Sequence, residues 1–251
     1  GDDIDGSDPK YKPAAVYARD AYDLYVPHYP FPDGGREGIY QSFVLGNVLF
    51  VMTDNRFNKL GRGSDTSKRS MLGIQQREWL KSQLLEGRKY DLVVWCNSLP
   101  WVGKAHPREV FWAGFSDERT NISLFIVENQ IRNLCMLSGD AHMLAIDDGT
   151  NTGFTPNGKG GFPLFHAAAM ESRPTRKGGI YTKGSKDGKP GLGIAGTGQY
   201  GVMEVKYPPA SDSPRVFWTG KRVKKRSKNP EDFQCQILLL HEFIARSATL
   251  L

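Results

Sequence analysis

The chain contains little cysteine: Cys96, Cys135 and Cys235 are its only thiols among 251 residues. They are too few and too scattered for a disulfide framework or for a zinc site built from thiolates. No stretch approaches the roughly 20 consecutive apolar residues of a membrane-spanning helix. The first residues are acidic and polar, unlike a secretory signal peptide. These absences exclude a disulfide-stapled scaffold and a membrane span, and they leave the compartment open.

Hydrophobic residues make up 39% of the chain and charged residues 24%. That balance allows a sizeable core and differs from the composition of a disordered chain. The formal net charge of +6 is unevenly distributed, because residues 221–228 alone hold six cations. We interpret this run as a solvated tail in preference to a nucleic-acid contact, since no aromatic residues interleave with it. We therefore predict one domain over residues 1–220, with a basic tail and terminal segment over residues 221–251.

Hydrophobic periodicity predicts an alternation of strands and helices. Apolar residues at helical spacing predict helices over residues 14–26, 72–85 and 116–130. Short apolar runs predict strands over residues 39–45, 48–53, 92–96, 134–137 and within 162–169, and a closing hairpin over residues 200–207 and 215–219. Gly46-Asn47 suits the two-residue turn of a hairpin between the first two strands. This order is typical of a layered α/β protein with a largely parallel central sheet.

Polar residues directly follow three of the predicted strands. They are residues 53–56 (TDNR), 97–98 (NS) and 138–142 (SGDAH). In open α/β sheets, ligands bind outside the carboxyl ends of the strands. The sequence therefore predicts one shared cleft to which all three strand ends contribute.

Asp140 and His142 are the strongest candidate ligands in this cleft. Two residues apart, they can offer one cation a carboxylate oxygen and an imidazole nitrogen. The alternative is an ordinary strand-to-loop turn in which Asp140 caps the following segment. His166 follows another apolar run and is a weaker candidate, because a lone histidine in that position is more often a hydrogen-bonded structural residue.

Several blocks taken together resemble the alkaline phosphatase D-like (PhoD-like) branch of the metallophosphatases, within the calcineurin-like superfamily. Their order and spacing match over about residues 1–145, in residues 25–30, 38–43, 53–56, 72–80, 97–100, 111–119 and 137–142. Beyond that point, the resemblance rests on residues 198–201 and the strand after them. The block Gly139-Asp140-Ala141-His142 is similar to the last metal-binding block of this branch.

The resemblance implies an α/β fold, a metallophosphatase-type sandwich of two mixed β-sheets flanked by helices. It also implies hydrolysis of phosphomonoesters or phosphodiesters at a pair of divalent metal ions, with Asp140 and His142 among the ligands. The metal stays open among calcium, iron, zinc and manganese.

Asn97 replaces a histidine of other members, and we expect its amide to support the site or contact substrate. Arg56 and Arg119 are expected phosphate contacts, since a guanidinium binds two phosphate oxygens at once. The alternative for each is a surface or interdomain ion pair.

The chain departs from the family pattern at its start, where the family's earlier ligand blocks should precede the first helix. One alignment places Asp2 near a metal-binding asparagine of the family. Another takes residues 2–5 as a degenerate Asp-Asp-His-Asp block, with Ile4 in place of the histidine. Either alignment leaves half of the metal site missing, so we expect the chain alone to bind metal poorly and hydrolyse little. A missing amino-terminal segment of the same protein then becomes an expected partner, beside a phosphoester substrate.

Two other hypotheses stand beside that of a partial phosphatase. The chain is either a non-catalytic descendant that keeps the scaffold as a binding module, or a basic α/β protein that uses residues 221–228 on nucleic acid. We favour neither over the partial phosphatase. Family members are often exported, which implies a secreted or membrane-associated location, although no residue of this chain shows it. The substrate, the general acid and the oligomeric state stay open.

Overall fold

The computed structural model describes residues 6–61, 69–209, 213–225 and 233–245. The α-helices of these residues are α1 (Lys12–Tyr25), α2 (Gly73–Glu86) and α3 (Ser116–Glu128). The first six strands are β1 (Gln41–Leu45), β2 (Val48–Thr53), β3 (Leu92–Asn97), β4 (Leu134–Ser138), β5 (Met143–Asp147) and β6 (Leu164–His166). The last four are β7 (Ile194–Ala195), β8 (Gln199–Lys206), β9 (Arg215–Lys225) and β10 (Phe233–Ile244). None of the described helices combines the length and the apolar composition needed to span a bilayer.

The central sheet has seven strands in the order β1-β2-β3-β4-β6-β5-β7. Strands β2, β3, β4 and β6 run parallel to one another. Helix α2 connects β2 to β3 and helix α3 connects β3 to β4, as expected for parallel neighbours, whereas β5 lies between β4 and β6 in the chain. The antiparallel partners are β1, which joins β2 through the predicted hairpin at Gly46-Asn47, and β5, which pairs with β6 and β7. Gly46 has φ 60°, a conformation that glycine adopts without steric cost.

The central sheet is covered on both faces, which explains its continuous apolar strands. Successive residues of β3 alternate between two cores: Val93 and Trp95 pack on the side of helices α2 and α3, and Leu92 and Val94 pack on the opposite side. The second core also contains Trp218, from a separate sheet. That sheet has the order β10-β9-β8. The fold is therefore a helix layer, a large mixed sheet and a small sheet.

Three tryptophans form the centre of the helix-side core. The rings of Trp95 and Trp101 meet edge to face with centroids 5.2 Å apart, and those of Trp101 and Trp112 meet in the same way at 4.9 Å. All three side chains are fully buried. Edge-to-face pairs of this kind add stabilisation beyond area burial, so this cluster fixes the segments that follow β3.

Comparison with the sequence-based expectations confirms an α/β fold with two sheets and helices outside. The three helices begin and end within two residues of their predicted bounds. Two details differ. The smaller sheet is antiparallel throughout its described strands and is not mixed. Residues 221–225 and 233–245 belong mostly to the paired strands β9 and β10, so they do not form a solvated tail. Backbone hydrogen bonds between the two strands hold these residues, and a charge pattern does not predict such pairing. The boundary at residue 220 stays a prediction.

Helix α2 is fastened to the end of β2 by one buried side chain, Gln76. Its Oε1 accepts the Asp54 backbone N–H at 2.7 Å, and its Nε2 donates to the Asp54 carbonyl at 2.9 Å and to the Leu72 carbonyl at 3.2 Å. The carboxylate of Asp54 in turn accepts the backbone N–H groups of Arg56 and Phe57. The turn that carries Arg56 is thus held by Gln76 through the Asp54 backbone and by the Asp54 side chain through the backbone N–H groups that follow.

We predict that Gln76→Leu lowers the free energy of unfolding by about 2–3 kcal/mol, because it leaves the buried Asp54 N–H and carbonyl without partners. Gln75→Leu is the matched control, since Gln75 lies one position along α2 and is exposed. The measurement is urea unfolding of both variants and the wild type. Equal midpoints for the two variants would contradict the assigned role of Gln76.

Candidate functional site at the carboxyl ends of the parallel strands

The parallel strands end in register at one edge of the large sheet. Thr53 of β2 lies opposite Asn97 of β3, Asn97 opposite Ser138 of β4, and Ser138 opposite His166 of β6. The structure thereby confirms that the three polar strand ends expected from the sequence meet at one edge. It adds a fourth strand end, that of β6.

Most polar groups at this edge bond to one another and shape the loops. Trp95 Nε1 donates to Thr53 Oγ1 at 3.0 Å, and Ser98 Oγ donates to Asn55 Oδ1 at 3.2 Å. Ser138 Oγ donates to the Leu99 carbonyl at 2.8 Å. These bonds tie β2, β3 and β4 together just above the sheet, so that the edge is a rigid base for the residues beyond it.

Asn97 belongs to this base and does not reach into a cleft. Its Oδ1 accepts Trp112 Nε1 at 2.9 Å, and its Nδ2 donates to the Leu99 carbonyl. The side chain is 2% exposed. Both ends of the amide are therefore occupied by the protein, and the structure gives Asn97 the role of joining β3 to the tryptophan cluster. The resemblance implied either support of the site or contact with substrate. These contacts are those of a supporting residue, and contact with substrate stays a prediction.

Asp140 lies at the centre of a small charged cluster after β4. Its Oδ2 is 3.0 Å from Lys177 Nζ, and its Oδ1 is 3.6 Å from Arg56 Nη2. The Asp140 side chain is 16% exposed and that of Arg56 is 37% exposed. Two cations therefore flank one half-buried carboxylate at the strand ends, a position open enough for an anionic ligand.

The turn that carries Asp140 and His142 has an uncommon backbone. Asp140 has φ 73° and His142 has φ 50°, the left-handed region that costs L residues about 1–2 kcal/mol. A segment distant in sequence clamps this turn. Thr175 Oγ1 donates to the Ala141 carbonyl at 2.9 Å, and His142 Nδ1 lies 2.6 Å from the Arg173 carbonyl.

The contact with Arg173 fixes the tautomer of His142. Because a carbonyl oxygen only accepts, Nδ1 must carry the proton, and a neutral ring then presents the lone pair of Nε2. Histidines that bind metals are commonly held in this way, with one ring nitrogen donating to a carbonyl. His142 is therefore prepared to act as a ligand through Nε2.

His166 lies beneath the same turn. Its Nε2 accepts the Ala141 backbone N–H at 3.2 Å, and the ring is 0% exposed. Burial, followed by the nearby charge of Lys177 and the neighbouring imidazole of His142, lowers the pKa of His166 to about 3. His166 is thus a neutral support of the turn at ordinary pH, which agrees with the structural interpretation of a lone histidine after an apolar run.

Arg119 lies away from the cluster, inside the helix-side core. Its Nη1 donates to the Trp101 carbonyl at 2.6 Å, and its Cζ lies 3.5 Å from the centre of the Phe154 ring. Burial lowers the pKa of the Arg119 guanidinium to about 9. With 2% of the residue exposed, Arg119 acts here as a packing residue. The structure does not place it as the phosphate contact expected from the resemblance.

The residue types of this turn suit a metal ion. Asp140 supplies a carboxylate and His142 an imidazole lone pair, a donor set suited to a divalent cation. However, among residues 6–61, 69–209, 213–225 and 233–245 no group of three or more histidine, cysteine, aspartate or glutamate side chains converges as a metal cage. Asp2, the third expected ligand, lies outside the described residues. The described chain therefore provides an incomplete ligand set.

Lys177 is the residue of this cluster that the sequence did not single out. It lies in a segment rich in glycine and lysine whose apolar pieces are too short to predict its position. The only available signal is the density of cations in Arg173, Arg176 and Lys177. Charge density predicts an exposed basic segment, but it does not predict an ion pair with Asp140, 37 residues away.

The fold and the site together define an α/β protein whose polar groups converge at the carboxyl ends of a mixed sheet. A family model described as "PhoD-like phosphatase" matches residues 3–189. The chain therefore belongs to the PhoD-like phosphatase family. The description names phosphatase activity for the family, which is generally metal-dependent.

A solved structure titled "Structure of PhoD" is similar in fold, with a TM-score of 0.61 and 16% sequence identity. The match covers 91% of this chain and 47% of that chain. At this identity the likeness shows the fold alone, and the present chain spans about half of the length of the PhoD chain. No curated protein matches the sequence.

We predict that the free energy of unfolding depends on pH through His166. Its folded pKa of about 3 lies below its ordinary value of 6.5, so the unfolded chain binds the proton more readily. The stabilisation by neutral His166 is complete above pH 6.5 and declines as the pH falls toward 3, with a slope of at most about 1.4 kcal/mol per pH unit.

The measurement is denaturant unfolding between pH 7 and 4, with a chelator present. In His166→Gln this component of the slope should be missing, whereas the exposed His106→Gln should retain it. An identical pH dependence of all three proteins would show that His166 is not buried as a neutral ring.

Proposed function

We propose that this chain forms part of a phosphoester hydrolase, a phosphomonoesterase or phosphodiesterase, whose substrate binds at the carboxyl ends of the parallel strands. The observation that supports this most is the contact of Asp140 with both Arg56 and Lys177 at one half-buried position beyond β4, two residues before His142 on the same turn. A carboxylate and an imidazole suit a cation, and the two basic side chains suit a phosphate group. Membership of a phosphatase family supports phosphoester hydrolysis as the use of this combination.

In this proposal the basic side chains bind and orient the phosphate. The planar guanidinium of Arg56 contacts two phosphate oxygens, and the ammonium of Lys177 contacts a third. Both groups stabilise the negative charge of the oxygens during hydrolysis. The bonds of the turn to Arg173 and Thr175 keep Asp140 and His142 in position, so that the site does not have to reorganise when substrate binds.

Asp140 and His142 would hold a divalent metal ion, through a carboxylate oxygen and Nε2. Asp2, and ligands from a further segment of the protein, complete the set in this proposal. A bound divalent ion polarises phosphoryl oxygens and makes hydroxide available near neutral pH. The metal identity stays open among calcium, iron, zinc and manganese.

A second candidate function is a non-catalytic module that binds anions. It is favoured by the charge balance of Asp140, because Lys177 and Arg56 already neutralise the carboxylate without a metal ion. A nucleic-acid function is less favoured. Of the basic run, Arg222 lies on β9 and donates to the Ala195 carbonyl, so part of its hydrogen-bonding capacity is used within the fold.

We predict that Asp140→Ala abolishes binding of divalent metal and any metal-dependent hydrolysis of bis(p-nitrophenyl) phosphate or p-nitrophenyl phosphate, since it removes one of two ligands on the turn. The measurements are metal content after dialysis and hydrolysis rates with each candidate metal. Asp187→Ala is the control, because Asp187 is an exposed carboxylate paired only locally with Lys189.

The result separates the two candidates. Metal bound by the wild type and by Asp187→Ala, but lost in Asp140→Ala, supports the hydrolase. The absence of metal and of hydrolysis in all three proteins, with phosphate binding retained, supports the anion-binding module when the further segment that completes the ligand set in this proposal is also present.

We also predict that Lys177→Met raises the affinity for a divalent metal by about fivefold, because the ammonium and the metal compete for the same Asp140 oxygen and a partly exposed ion pair contributes about 1 kcal/mol. The measurement is calorimetric titration with Mn²⁺. Lys189→Met serves as the control, since its partner Asp187 is distant from the site in this proposal. An unchanged or weaker affinity in Lys177→Met would mean that Asp140 is not a ligand.

A further inference from the structure

A cavity of about 610 Å³ lies between helix α1 and the turn that follows β2. Ala14, Ala15 and Ala18 of α1 form one wall, and Phe57 and Ile39 form the opposite wall. Methyl side chains at three neighbouring positions leave this space unfilled. Helix α1 itself has no fully buried residue, so it covers the cavity without packing tightly into it.

The cavity and the strand-end site share one side chain, Arg56. Arg56 is one of the residues that line the cavity, and its Nη2 is 3.6 Å from Asp140 Oδ1. Asp54 also lines the cavity, but its carboxylate is bonded to the backbone N–H groups of Ile39, Arg56 and Phe57. The carboxylate is therefore engaged by the turn, which reduces its repulsion of an anion held by Arg56.

Two features of the walls favour a planar, largely apolar occupant. Tyr22 and Phe57 both belong to the lining. Lys12 Nζ lies 3.7 Å from the centre of the Phe57 ring, which leaves the ring of Tyr22 and the other face of Phe57 for stacking with a ligand. Arg19 lines the same cavity. Its Nη1 donates to the Gly35 carbonyl, whereas its buried Nε has no partner among the described residues. Because this N–H has almost no accessible surface, a ligand reaches it only if the Arg19 side chain moves.

We propose that this cavity binds the organic group of the phosphoester, and that this group is an aromatic or otherwise flat apolar alcohol. The phosphate lies at Arg56, beside Asp140, and the organic group extends from there along the alanine face of α1. The volume is in the range of pockets that enclose small organic ligands. This assignment rests on the proposed function, because it names the second half of the same substrate.

Binding measurements test the assignment without requiring turnover. Calorimetric titrations compare 1-naphthyl phosphate with inorganic phosphate, and we expect naphthyl phosphate to bind at least about tenfold more tightly because its ring is buried. Ala18→Trp fills the cavity and should reduce the affinity for naphthyl phosphate to that for phosphate, while phosphate binding stays unchanged. Ala21→Trp is the matched control, since Ala21 is exposed on the same helix, as Ala18 is, but lies outside the cavity lining.

Ala14→Leu provides a second, smaller obstruction one turn away, and circular dichroism confirms that each variant is folded. If Ala18→Trp fails to fold, Ala14→Leu decides the question by the same comparison. Equal affinities of the wild type for the two ligands, no binding of naphthyl phosphate, or an equal response to Ala18→Trp and Ala21→Trp would each overturn the assignment.

The failure of this inference is distinguishable from the failure of the proposed function. A wild type that hydrolyses methyl phosphate and naphthyl phosphate with the same KM retains the hydrolase function but lacks the organic-group site. A wild type that hydrolyses neither ester, yet binds naphthyl phosphate in the Ala18-dependent manner, retains the cavity assignment and lacks the catalytic function.

Discussion

The in-register pairing of the parallel strands is the constraint on which the rest of the site depends. It brings Thr53, Asn97, Ser138 and His166 to one line across the sheet. A shift of one residue in any strand would exchange the two faces of that strand, because successive side chains alternate. Leu92 and Val93 would then each enter the wrong core. The apolar contacts on both faces therefore protect the alignment of the polar strand ends.

The charge of Asp140 links the two functions that the site is able to support. With Lys177 and Arg56 as its partners, the carboxylate belongs to a basic cluster that attracts anions. With a metal ion, it becomes one ligand of a cation. The same residues therefore serve either purpose, and the additional ligands that reach Asp140 and His142 decide between them. Family membership favours the metal, whereas the described contacts show the basic cluster.

Periodicity predicted the helices, the Gly46-Asn47 hairpin and strands β1 to β4 and β6 of the central sheet, because each depends on residues close in sequence. It did not predict β5 or β7 of the same sheet. The clustering of strand ends was also predictable, since parallel strands end at a common edge. The side-chain partners of Asn97 and Arg119 could not be predicted from local sequence patterns. Their partners, Trp112 and the Trp101 carbonyl, come from packing that no local pattern encodes. Lys177 was missed for the same reason, and the charge pattern of residues 221–228 did not reveal that β9 and β10 pair.

The left-handed backbone at Asp140 and His142 has a consequence for how the turn is maintained. Glycine would fit both positions without steric cost, and asparagine at a lower one than most residues. The chain instead carries an acid and an imidazole there, and sequence changes that relieve the torsional penalty would make the protein sturdier while removing its reactive groups. The stability of the protein and the proposed ligand function of this turn therefore place opposite demands on residues 140–142.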